Sequence, residues 1–176
     1  MEISARRALP VNPEQAFRFL SVAHNHRRLA TAKIRLRELD VAGDGELRGA
    51  RMELRGPLWL RRAARTRVVS LRRPGHLAGT ARVGSGTEVE VRWELDRAGD
   101  GATVASLTAT VTRLAPAERL LLAIGGRRWV QQLFVATLER LAAELCEEPG
   151  RICATGRREG QAWRLPTLIG ANPRWR

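Results

Sequence analysis

The chain has 176 residues, enough for one domain with a substantial core. Hydrophobic residues make up 44% and charged residues 28%, and the longest apolar run, Leu120 to Ile124, falls far short of the roughly 18 residues that cross a bilayer. The net charge of +13 comes from arginines spread along the whole chain, with six Arg and one Glu in residues 149–176; phosphate-binding proteins gather such charge on one face or arm, so no specific nucleic-acid partner is expected.

The N-terminus carries Glu2 early and has no apolar stretch of the signal type, which reads as cytoplasmic. Glu2 to Leu9 forms a short extended segment ending at Pro10. A helix start follows, with Asn12 at the cap, Pro13 at the first helical position and Gln15 three residues after the cap. Ala16, Phe17 and Leu20 then share one face. A second short helix is weakly signalled over Val22 to Leu29, where His24-Asn25-His26-Arg27-Arg28 is strongly polar.

From Ile34 the period changes to two. Strands are expected at Ile34 to Val41, Glu46 to Arg55, Leu60 to Arg72, His76 to Val83, Thr87 to Asp96 and Thr103 to Arg113. The turns between them (Gly43-Asp44-Gly45, Gly56-Pro57, Pro74-Gly75, Gly84-Ser85-Gly86 and Gly99-Asp100-Gly101) are too short for parallel crossovers, so an antiparallel meander follows. Val89, Val91, Trp93 and Leu95 alternate with Glu88, Glu90, Arg92 and Glu94, the pattern of a sheet wet on one side. Leu77, Gly79, Ala81 and Val83 repeat the pattern in the preceding strand, and Ala105, Leu107, Ala109 and Val111 repeat it in the following one. Ala50, Met52 and Leu54 do so more weakly. This inner face mixes bulk with Gly and Ala, leaving room either for a guest or for neighbouring bulk.

A helical pattern runs from about Ala117 to Glu147, with a break at Gly125-Gly126. Val130, Leu133, Phe134, Thr137, Leu138, Leu141 and Leu145 form its apolar stripe. Pro149-Gly150 ends it. The remainder, Arg-rich and without periodicity, is expected to be a flexible tail, which divides the chain into a domain at 1–148 and a tail at 149–176. Cys146 and Cys153 fit neither a metal-ligand pair nor a multi-bridge framework, and free thiols are expected.

The order of first strand, Val11-Asn12-Pro13-Glu14-Gln15-Ala16-Phe17-Arg18-Phe19-Leu20 helix, six-strand meander and long C-terminal helix resembles the START-related helix-grip superfamily. Within it the chain looks most like the SRPBCC proteins of the polyketide cyclase/dehydratase-like group, together with relatives similar to the G-type subunit of carbon monoxide dehydrogenase. The likeness covers about residues 2–147 and is mostly architectural. It departs at Ala23 to Thr31, where many relatives carry an aromatic and proline-containing tract, and at Arg151 to Arg176, which has no counterpart. The implied fold is α+β: a curved seven-stranded antiparallel sheet around a long C-terminal helix, with one or two short helices after the first strand. The resemblance implies a deep apolar cavity between sheet and helix, and members that bind or transport lipids or act on polyketides.

Resemblance and face parity together assign Met52, Leu54, Ala81, Val91, Trp93, Leu107, Ala109, Trp129, Val130, Leu133, Phe134, Thr137 and Leu141 to the cavity lining. Arg65, Arg67 and His76 are candidate polar anchors. The two arginines qualify because the faces of Ala63 to Leu71 are poorly separated, and a one-residue change of register would turn them inward toward a ligand carboxylate. His76, following a turn, would act at a pocket rim. The simpler reading leaves all three in solvent.

Other chemistry is thin. His24 and His26 lack a third metal ligand nearby, and Asp40, Asp44 and Gly45 fail as a calcium loop because Ala42 and Arg51 stand where oxygen donors belong. None of the glycine turns leads from a strand into a helix, and no Gly-x-Ser-x-Gly elbow occurs. Cys146 has Glu147 and Glu148 beside it, which discourages a thiolate. No cofactor or metal is expected, and no acid or base is placed inside the cavity. The expected function is binding or transport of a hydrophobic small molecule. The alternatives are a polyketide cyclase/dehydratase-type enzyme and Arg-mediated binding of nucleic acid or an acidic surface.

Overall fold

Alternating apolar and polar residues in seven segments build one antiparallel sheet in the computed structural model, which describes residues 1–56, 60–99 and 101–146. The strands are β1 (Glu2–Leu9), β2 (Ile34–Val41), β3 (Leu47–Arg55), β4 (Arg61–Arg72), β5 (His76–Val83), β6 (Thr87–Ala98) and β7 (Ala102–Arg113). Their order across the sheet is β1-β7-β6-β5-β4-β3-β2. Strands β2 to β7 therefore meander, and β1 pairs with the last strand, with Ala5 opposite Leu107. Residues 149–176, expected from their composition to form a flexible tail, lie outside the described residues.

Between β1 and β2 the chain crosses from one sheet edge to the other through α1 (Pro13–Ser21) and α2 (Asn25–Arg28). The start of α1 follows from its sequence: the Gln15 backbone N–H donates to the Asn12 side-chain oxygen at 2.9 Å, and Pro13 occupies a first-turn position that needs no donor. Ala16, Phe17, Phe19 and Leu20 are all buried. After β7 come α3 (Pro116–Leu121), a π-helical turn at Leu122–Gly126 and α4 (Arg127–Cys146). The break expected at the Gly-Gly pair is this π turn, where Gly125 takes a φ of 102° that other residues rarely adopt.

Helix α4 lies across the concave face. Its last turns are pinned by an ion pair from Arg28 to the buried Glu144 and by a 3.1 Å hydrogen bond from Arg140 Nε to the Arg28 carbonyl. The core collects beneath this half of the helix, where Leu138, Leu141 and Leu145 meet Leu9, Phe17, Leu20, Leu95 and Ala105. Each Leu and Phe among them contributes about 1.5–3 kcal/mol through burial. Among the described residues no helix is long and apolar enough to cross a membrane. Cys146 is disulfide-bonded, which corrects the expectation of free thiols; the spacing of cysteines along a sequence does not fix whether they meet in space. Cys153 lies outside the described residues.

Two glycines let neighbouring strands approach closely where the sheet bends. A Cβ on Gly79 would sit 2.6 Å from the Arg67 carbonyl oxygen, and one on Gly49 would sit 2.5 Å from that of Thr66. Backbone from β4 occupies the space these residues leave, next to a bulge between Val68 and Ser70. Gly79→Ala is therefore expected to destabilise the protein by about 1–3 kcal/mol in urea unfolding, since rigid backbone must move to admit one methyl group.

Candidate functional site

Bulk is unevenly distributed along the inner face, and this places the site. Under the C-terminal half of α4 the space is filled by Phe17, Leu20, Leu95 and Trp93. Under its N-terminal half the sheet presents Ala81, Val83, Val89, Val91, Ala109 and Val111, which are too small to reach the helix. A cavity of about 370 Å³ remains there, within the size range of small-molecule pockets. Met52, Leu54 and Leu60 border it from β3 and its loop to β4, and Leu29, Ala30, Ile34 and Leu36 border it from α2 and β2.

All of the expected apolar lining residues border this cavity except Leu141. Leu141 is fully buried, yet it lies one turn too far along α4, where α1 fills the interior. Helical period identifies a face; it does not say how far along that face the neighbours reach. The three candidate anchors also divide. Arg65 is exposed on the outer face, in register between Arg51 and Arg82, because Arg62, Ala64, Thr66 and Val68 take the inward positions of β4. The bulge after Val68 restores Leu71 to the inner side, which explains why the two faces are poorly separated in the sequence. Arg67 is likewise exposed and borders the cavity at the same place where its carbonyl faces Gly79. His76 sits at the start of β5, in register with Arg72 and Glu94, and does not line the cavity.

The structure instead brings three other ionisable side chains to the lining: His26, Arg62 and Glu118. The His26 ring nitrogen Nε2 lies 2.6 Å from the Leu20 carbonyl, to which it donates. Burial pushes its pKa below the ordinary 6.5, and the bond to Leu20 only partly opposes this, so the ring is neutral at pH 7. Glu118, on α3, is only 7% exposed. Its carboxylate accepts from the Ser85 hydroxyl at 3.1 Å and from the Ser85 backbone N–H at 3.4 Å. It also lies 3.8 Å from Arg62 Nε. The α3 segment is held a second time where the Ala115 N–H donates to Thr87 Oγ1 at 3.1 Å.

Sequence reasoning missed these residues for identifiable reasons. Arg62 is one of many strand arginines, and the parity of β4 is obscured by its bulge. Glu118 looks like an ordinary first-turn acid of a helix. Its packing against Gly84 gives it away: a Cβ at Gly84, whose φ is +57°, would collide with the carboxylate.

The neutral state of His26 has a consequence for stability. Its folded-state pKa is lower than its unfolded value, so the unfolded chain binds more protons as pH falls through about 6.5 and below. Stability contributed by His26 is thus complete above about pH 6.5 and is lost toward the lower folded pKa. Thermal melts of the wild type should show the melting temperature falling between pH 7.5 and 5.5, and His26→Gln, which keeps a donor for Leu20, should flatten that slope.

The family model described as polyketide cyclase/dehydrase and lipid transport matches residues 1–145. Among solved structures, the Ms6760 protein of Mycobacterium smegmatis superposes with a TM-score of 0.60 at 11% identity, over 84% of this chain and 91% of its own. A Rhodobacter sphaeroides protein gives 0.58 at 19% identity over 82% and 91%, and a START superfamily protein of M. smegmatis gives 0.54 at 17% over 83% and 94%. Among curated proteins none matches. Identities this low speak for the fold alone, and the match over residues 1–145 speaks for the family. The chain shares the fold of these structures, a helix-grip sheet closed by α4 over an apolar space, and by its match over residues 1–145 it belongs to the polyketide cyclase/dehydrase and lipid transport family.

Proposed function

We propose that the protein binds or carries a hydrophobic small molecule in the cavity between the sheet and the N-terminal half of α4. The observation that supports this reading best is the cavity of about 370 Å³ bordered almost wholly by aliphatic and aromatic side chains. Affinity would come from apolar area removed from water, at about 25 cal/mol per Å². The few polar groups on the wall would orient the guest rather than hold it.

A second reading, a cyclase or dehydratase acting on a polyketide-like chain, is favoured by one specific observation. A buried carboxylate, Glu118, and a neutral imidazole, His26, both border the cavity. Either is a group that can move a proton when a substrate is held against it. The binding reading requires neither.

Ala109 stands opposite Val91 at the cavity wall, and Leu133 faces it from α4. Ala109→Trp or Leu133→Trp would fill the space that a ligand needs. In a fluorescence titration with N-phenyl-1-naphthylamine, the wild type is expected to bind at micromolar concentrations. Either variant should lose at least tenfold in affinity while keeping a cooperative melt. Undiminished uptake by folded variants would place the binding site elsewhere. For the enzymatic reading, Glu118→Gln and His26→Gln should abolish turnover of a polyketide-like substrate and leave probe binding within about threefold.

A further inference from the structure

The polar residues at one end of the cavity are arranged for more than fold stability. Arg62 Nε is buried and has no hydrogen-bond partner among the described residues. Its ion-pair partner, Glu118 Oε1, is 3.8 Å away, too far for a direct hydrogen bond. Both side chains border the apolar cavity, where an unmet donor is costly. Glu118 is fixed from behind by Ser85 and pressed against Gly84, so it cannot close the gap by a simple rotation.

Resting on the binding reading, we infer that the cavity's guest is an amphiphile with a neutral hydroxyl head, a fatty alcohol or comparable lipid alcohol, seated between Arg62 and Glu118. One oxygen placed about 2.9 Å from each partner spans the gap, accepting from Nε–H and donating to the carboxylate. A hydroxyl does both at once. An ether or ketone only accepts: it would meet Arg62 Nε–H but would set its lone pairs against a carboxylate that receives donors only from Ser85 on its far side. A carboxylate would meet Arg62 already neutralised by its ion pair and would lie against the buried negative charge of Glu118. The same architecture thus selects for an alcohol and against an acid of the same chain length, a specificity that the apolar walls alone do not supply. The remaining apolar lining then receives the alkyl chain.

The test is competition against bound N-phenyl-1-naphthylamine at pH 7.5 with decane and decanol below their aqueous solubilities and decanoate below its micellar concentration. The wild type should prefer decanol over both others by about tenfold or more, the range expected for a hydrogen bond to a charged group. Arg62→Met should bring decanol to within about threefold of decane. Glu118→Gln removes the negative charge and should raise decanoate affinity relative to decanol. Should Arg62→Met fail to fold because it strands Glu118, the double variant Arg62→Met/Glu118→Gln provides the same comparison. Equal binding of all three compounds by the wild type would overturn the head-group assignment, with a water bridging the pair instead, and would leave the carrier reading standing. Preference for decanoate would overturn it too. Failure of every compound, and of the probe itself, would remove both the assignment and the reading beneath it.

Discussion

The constraint on which this molecule depends is how side-chain volume is distributed over one curved face. A helix lying on a strongly bent sheet leaves a wedge of space, and apolar side chains must fill it or a void remains. Here the wedge is filled at one end only. Phe17, Leu20, Trp93 and Leu95 meet Leu138, Leu141 and Leu145 beneath the C-terminal half of α4, and this packing holds the fold. At the other end Ala81, Ala109 and the valines of β6 and β7 leave the helix unsupported from below. Stability and the cavity are thus segregated along one helix, so the fold does not depend on filling the site.

The segregation needs an anchor at each end of the helix. At the C-terminal end, α2 and α4 are tied by Arg28, Arg140 and Glu144. At the N-terminal end, α3 is tied to the β5–β6 turn through Glu118 and Ser85, and through Ala115 and Thr87. Between the second tie and α4 lies the π turn with Gly125 at positive φ. On one side of it α3 meets the β5–β6 turn, and on the other α4 crosses the concave face. Glu118 therefore has two duties in one position: it fastens α3 to the sheet, and it is half of the charged pair that borders the cavity.

Much of this was legible in the sequence, and the limits have physical causes. Strand boundaries were readable because alternation and glycine turns are local properties: β1, β2 and β5 have the expected ends, and β6 runs two residues past the expected Asp96, to Ala98. The inner face of β5, β6 and β7 followed from parity alone. Parity failed in β4, where one bulge between Val68 and Ser70 offsets the pattern and kept Arg62 out of sight. The apolar lining was legible as a face, but its extent was not, as Leu141 demonstrates. Where a stripe stops lining a void and starts filling a core depends on a distant element, here α1. The polar wall of the cavity was the least legible part, because burial that no local pattern reveals sets the character of His26, and Glu118 meets Ser85 and Arg62 only through the fold.

The central claim is that apolar space persists beneath the N-terminal half of α4 in the folded protein and accepts a guest. A crystal structure of the protein grown with a bromoalkane tests it most directly, by anomalous scattering. The account predicts bromine density enclosed by Val91, Ala109, Leu133 and Phe134, with the helix unmoved. Side chains closing that space against one another, with bromine absent from it, would contradict the account.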